Sequence, residues 1–127
     1  MAMSDYLETA LLNHVCRGIA YSEPTSLYVA LYTTAPTDAG GGTEVSGGGY
    51  ARQPVTFGAP SNGQVTTTAT IEFPIATANW GTIVAIGVFD AETGGNLLFY
   101  GNLDASKQIF AGDQFRILAG NLTISLD

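Results

Sequence analysis

The sequence predicts a mainly β domain, an antiparallel β-sandwich of jelly-roll-like form with one N-terminal α-helix. Three observations predict it. A single segment near the N-terminus carries the 3.6-residue apolar period of a helix. Beyond it, short runs with alternating or doubly apolar residues recur to the C-terminus, separated by clusters of Gly, Asn, Asp and Ser. That spacing leaves no room for the helical crossovers that parallel strands require, so neighbouring strands should be antiparallel.

The helix is expected over Asp5 to Arg17. Asp5 and Glu8 are spaced as a capping box, Leu7, Leu11 and Val15 form one stripe that Leu12 and Cys16 widen, and Gly18 is placed to end it. Ser26 to Thr33, "SLYVALYT", is apolar on both faces and reads as a central strand. Gln64 to Phe73, "QVTTTATIEF", sets Val65, Thr67, Ala69, Ile71 and Phe73 against Thr66, Thr68, Thr70 and Glu72, the pattern of a strand with one wet face. The turn residues Ser61-Asn62-Gly63 before it predict a hairpin with Arg52 to Phe57, and Pro54, which cannot donate to a ladder, puts that strand at an edge or a bulge.

Thr82 to Phe89, "TIVAIGVF", is again apolar on both faces. It leads through "DAETGG" into Asn96 to Leu103, a second hairpin across Gly94-Gly95. A short strand at Gln108 to Phe110 and a turn at Ala111-Gly112-Asp113 precede a last apolar stretch. There the inward parity passes from Phe115, Ile117 and Ala119 to Leu122, Ile124 and Leu126, a slip across Gly120 that predicts a β-bulge.

One segment escapes this regularity. Residues 34–49, "TAPTDAGGGTEVSGGG", hold two Gly-Gly-Gly runs and read as a flexible arm able to order against a neighbour.

At 127 residues the chain is expected to be one domain, 1–127, large enough to remove about two-thirds of its unfolded surface from water. Eleven acidic residues against four basic ones give a net charge of −7, which repels nucleic-acid phosphates and anionic lipid. No apolar run is long enough to span a bilayer, and Asp5 and Glu8 stand where a signal peptide would be basic, so the protein is expected to be soluble and made in a cytoplasm. Only 12% of residues are charged while 46% are hydrophobic. A surface so poor in charge is either clothed in the chain's fifteen threonines and other neutral groups or buried against another subunit.

Catalytic, cofactor and metal sites are not expected. His14 and Cys16, each the sole member of its kind, point about 200° apart on a helix and cannot form a dyad, leaving a surface histidine and a packed cysteine. Asp90, Glu92, Asp104 and Asp113 fall at predicted turns, where a carboxylate bonds its own backbone, and no spaced calcium loop is present. "GGGTEVSGGGY" lacks the Lys-Ser/Thr of a phosphate loop. Trp80 and Tyr50 could stack on a glycan, although packing explains such residues more often. Arg52 and Arg116, in so acidic a chain, are expected to pair with carboxylates of the same or a neighbouring subunit.

The segments "LYVALYTTAPTDAGGGTEVSGGGYARQPVTF", "AIGVFDAETGGNLLFYGNL" and "AGDQFRILAGNLTISL" resemble a family of short bacteriophage virion proteins, labelled tail-fibre or capsid cement (decoration) proteins. The resemblance implies a jelly-roll-like sandwich that trimerises on a virion surface. It covers nearly the whole chain and carries no catalytic residue. The leading expectation is a homotrimeric cement protein bound to the major capsid protein or another virion protein. The alternative is a tail-fibre or adhesin module that binds host-surface glycan. Residues expected at a partner interface are Tyr6, Gly42, Glu44, Val45, Tyr50, Arg52 and Trp80.

Overall fold

The computed structural model describes residues 1–126 and is an antiparallel sandwich with one N-terminal helix. Its main sheet has six strands: β1 (Ala2–Met3), β8 (Leu97–Ile109), β7 (Gly81–Phe89), β2 (Leu27–Thr34) and, side by side along the far edge of β2, β3 (Thr43–Glu44) and β4 (Gln53–Val55). Two short ribbons form the opposite layer, β5 (Gln64–Thr66) with β10 (Thr123–Ser125) and β6 (Ile71–Glu72) with β9 (Arg116–Ile117). The pairs β7–β8, β6–β9 and β5–β10 are nested, so the second half of the chain is one long hairpin bent over on itself, the jelly-roll way of making two layers.

The core lies between the layers. Val29, Leu31, Val55, Ile83, Ile86 and Ile109 from the main sheet meet Ile71, Phe73, Phe115, Ile117 and Leu122 from the other side. β2 and β7 are paired on both edges and buried on both faces, as their doubly apolar sequences require. Their second face carries a smaller cluster of Ala30, Tyr32, Ala85, Phe89 and Leu97.

Several expectations change in detail. The helix α1 spans Asp5–Arg17, but its N-cap is Ser4, whose hydroxyl accepts from the Leu7 amide at 3.2 Å and donates to the Leu97 carbonyl at 2.5 Å. Glu8 is thus one position too late for a capping box. Only Leu7 of the apolar stripe is buried; Leu12 is 63% and Val15 78% exposed, and Cys16 lies open to solvent instead of packed. Gly18 ends the helix in the left-handed conformation, as expected.

The Gln64–Phe73 strand is broken between Thr66 and Ile71, leaving Ala69 exposed. Its expected partner divides its loyalties: Gln53–Val55 pairs with β2, and only Thr56 to Gly58 bond across to Thr66–Thr68. Pro54 sits on an edge strand, where its missing N–H costs no ladder bond. The segments 96–103 and 108–110 merge into the single strand β8, whose register against β7 shifts between Asn102 and Lys107, so Asp104 lies in a strand and not at a turn. Gly120, at φ 81°, makes a turn between β9 and β10 instead of a bulge, and the parity slip leaves Ala119 and Leu126 exposed.

Phe73 tests this architecture. It is 1% exposed, edge-on to Phe115 at 5.8 Å and parallel to Tyr50 at 6.2 Å between ring centroids. Phe73→Ala should cost about 3–5 kcal/mol in chemical denaturation, from lost burial plus the cavity left behind; a loss below about 1 kcal/mol would place the ring outside the core.

Candidate functional site

The Gly-rich segment is not a loose arm. It folds back and is held by its own chain at Thr37–Gly40, β3, Val45 and Gly48. The Gly48 carbonyl accepts both the Thr77 amide and the Trp80 indole N–H, each at 2.9 Å. Gly48 itself is at φ 61°, where an added Cβ would stand 2.9 Å from the indole nitrogen, so only glycine allows the loop to lie flat on Trp80. Repeated glycine here is what close packing needs.

Glu44 of that loop converges with Tyr50 and Arg52, which follow it in the chain. The Arg52 guanidinium makes a bidentate pair with the Glu44 carboxylate, Nε to Oε2 and Nη2 to Oε1, both at 2.9 Å. Its Nη1 donates to the carbonyls of Ala91 and Gly94 at 3.0 and 2.8 Å, and its Cζ lies over the Phe89 ring, 3.7 Å from the centroid. Tyr50 completes the set, donating its hydroxyl to Glu44 at 2.6 Å and accepting the Leu31 amide at 3.0 Å. The Arg52 side chain is 9% exposed and that of Glu44 26%, so water screens the pair only partly.

The electrostatics follow. Burial would push the Glu44 carboxyl up, but hydrogen bonds from Arg52 and Tyr50 outweigh it and hold the group below its ordinary value. Burial and then Glu44 drive the Tyr50 phenol well above its usual range. Burial would lower the Arg52 guanidinium, and its hydrogen bonds to Glu44 reverse that. Burial, then Glu44, pushes Tyr32 to about 12.

Arg52 therefore staples the Asp90–Asn96 turn to the loop. The turn is also closed from within: Asp90 accepts the Asn96 amide at 2.7 Å and its side-chain amide at 3.0 Å. Two open clefts flank it. One, of about 330 Å3, is lined by Glu44, Tyr50, Arg52 and Glu92; the other, of about 410 Å3, by Ser4, Tyr6, Tyr32, Asp38, Phe89 and Asn96.

The residues marked in the sequence are thus placed as follows. Glu44, Tyr50 and Arg52 form one intramolecular lock. Val45 is buried in the core at 6% exposure, and Trp80, also 6% exposed, packs edge-on against Tyr50 at 5.5 Å. Gly42 lets the chain pass the Thr34 carbonyl, which a Cβ would approach to 2.6 Å. Tyr6 stands apart, 44% exposed at the start of α1. Trp80 and Tyr50 spend their ring faces inside the protein, which leaves neither free as a sugar platform. Arg116 makes an exposed pair with Glu72 at 3.8 Å, worth little. Ser4, Tyr32 and Asp38 gave no local signal, because tertiary packing alone brings them together. Among the described residues no group of three or more His, Cys, Asp or Glu side chains could hold a metal ion, and no helix is long and apolar enough to cross a membrane.

Because the Glu44 carboxyl titrates lower when folded, the lock contributes fully above the unfolded carboxylate value, about 4.5, and is lost as pH falls through the lower folded value. Melting curves from pH 7 down to pH 3 should show Glu44→Gln less stable than the parent at neutral pH, with the gap closing toward acid. Arg52→Ala should cost about 2–4 kcal/mol, since it also releases the turn, and Arg52→Lys should recover only part of that. A parallel acid response in the parent and Glu44→Gln would remove the carboxylate from this role.

A search of curated proteins finds no match to the chain. A family model described as "Podophage GP4 fiber I protein gp80" matches residues 2–125, nearly the whole sandwich together with its helix and clefts. The chain belongs to that family of phage fibre proteins and is a structural component of virions.

Proposed function

We propose that the protein is a fibre module that works as a homotrimer attached to another virion protein, its task being assembly and contact rather than catalysis. The observation that carries this reading is the outer face of α1. Leu12 and Val15 on the helix, with Ile19 just past its Gly18 cap, are 63%, 78% and 44% exposed, and no charged side chain stands between Glu8 and His14. A 13-residue helix that its own domain covers only at the first two turns is marginal alone. Burying that stripe between copies supplies the missing support, and each pair of copies then meets across a surface almost without charge, which a chain of net charge −7 needs.

The family description supports the fibre role over the capsid cement role that the sequence resemblance put first. The same charge balance argues against nucleic acid as a partner.

Two measurements test the proposal. Light scattering on the purified protein should give a trimer mass, and Val15→Asp should reduce it to the monomer with β-sheet circular dichroism unchanged; a parent that stays monomeric at high concentration defeats the oligomer. Quantitative mass spectrometry of purified particles should then find few copies per virion. A count in the hundreds would return the protein to the capsid surface.

A further inference from the structure

We infer that the cleft between the start of α1, the 38–41 turn and the 95–97 strand entry is a binding site for a neutral pyranose sugar. The inference deepens the fibre reading, on which its biological use rests, but the site is argued from its own geometry.

The decisive group is Tyr32. Its side chain sits on the sheet beneath the cleft and the residue is 3% exposed, yet among the described residues its hydroxyl makes no hydrogen bond. The hydroxyl is not sealed in either, because among the described residues no side-chain oxygen or nitrogen is both buried and unpartnered. Tyr32 lines the cleft, so a nearly buried donor and acceptor without a partner among the described residues adjoins it. The cleft holds about 410 Å3, within the range of roughly 300–1,000 Å3 typical of small-molecule sites.

The rest of the lining fits a sugar better than other ligands. Tyr6 offers a ring at the lip, 44% exposed, for the C–H face of a pyranose. Asp38 is held by the Tyr100 hydroxyl on one oxygen, which leaves the other to accept from sugar hydroxyls. Asn96 is similarly held through its amide nitrogen by Asp90, with its amide oxygen turned loose as an acceptor. No lysine or arginine lines the cleft, and Asp38 repels anions, so phosphates and acidic sugars are disfavoured. One carboxylate is too few to hold a cation there.

The turn that forms one wall is fixed by Asp90 and by the Arg52 staple, and the opposite wall by the bond from the Asp5 amide to the Asp38 carbonyl at 2.8 Å. A site held this firmly before binding loses little entropy when occupied.

The test is an amide NMR titration of the purified protein with the methyl glycosides of glucose, galactose, mannose and N-acetylglucosamine, with glucose 6-phosphate as charged control. At least one neutral glycoside should give saturable shifts centred on Tyr6, Gly40, Gly41 and Asn96. Tyr32→Phe should weaken that binding by about five-fold, the value of one hydrogen bond, and Tyr6→Ala by about ten-fold or more. Tyr32→Phe should melt with the parent, since its hydroxyl makes no hydrogen bond among the described residues, whereas Tyr6→Ala, which removes a half-buried ring, should keep its β-sheet circular dichroism at a somewhat lower melting temperature. No saturable shift with any of the four, shifts centred elsewhere, equal affinity in both variants, or tighter binding of the phosphate would each overturn the inference. The outcome is independent of trimer mass and copy number, so the site and the fibre role can fail separately.

Discussion

The fold depends on one guanidinium. From its own place beside β4, Arg52 spends its donors on two other segments, the Glu44 carboxylate in the Gly-rich loop and the Ala91 and Gly94 carbonyls in the β7–β8 turn. Each contact removes a cost that another would otherwise leave. Without Glu44 a nearly buried cation would be unpaired, and without Arg52 the two turn carbonyls would face a cleft wall with no donor. Phe89 beneath the guanidinium adds a cation–π contact to the network. No lysine could do this, because the geometry needs a planar fork with donors on both sides.

Much of the framework was legible from the chain. The doubly apolar β2 and β7, the turn at Gly94-Gly95, the helix span and its glycine stop all rest on local periodicity and turn chemistry, and local rules decide them. What escaped was tertiary. The break between Thr66 and Ile71 follows from β5 and β6 serving different partners, β10 and β9, which no alternation can announce. Six glycines in the 34–49 segment looked like freedom, although Gly42 and Gly48 are there because the backbone passes within 3 Å of another group once a Cβ is added. Arg52 was legible as a cation in need of a carboxylate, but the choice of Glu44 was not. The stripe on α1 was visible as apolar, and only the fold reveals how little of it the domain itself covers.

The molecule divides its labour by face. Between its layers it is a closed apolar core; along the helix it presents aliphatic side chains with little charge; and beside the 90–96 turn it holds two clefts of mixed polarity on a braced loop. A fibre part needs these properties together, since it must stay folded outside the cell without disulfides, join its neighbours, and offer the exterior a surface that does not change shape on contact. Cys16, the only cysteine, lies on the exposed helix and contributes no cross-link within the chain.

The nesting of the three ribbon pairs also orders events in time. Closing β5 on β10 directly joins Val65 to Ile124 across most of the second half of the chain, an entropically dear loop. Once β7 and β8 have zipped from the Asp90–Asn96 turn, and β6 has met β9, only a few residues remain to be closed on either side. Assembly should thus run from the innermost reverse turn outward, and the outermost ribbon, last to form, is the first to fray when the domain is heated.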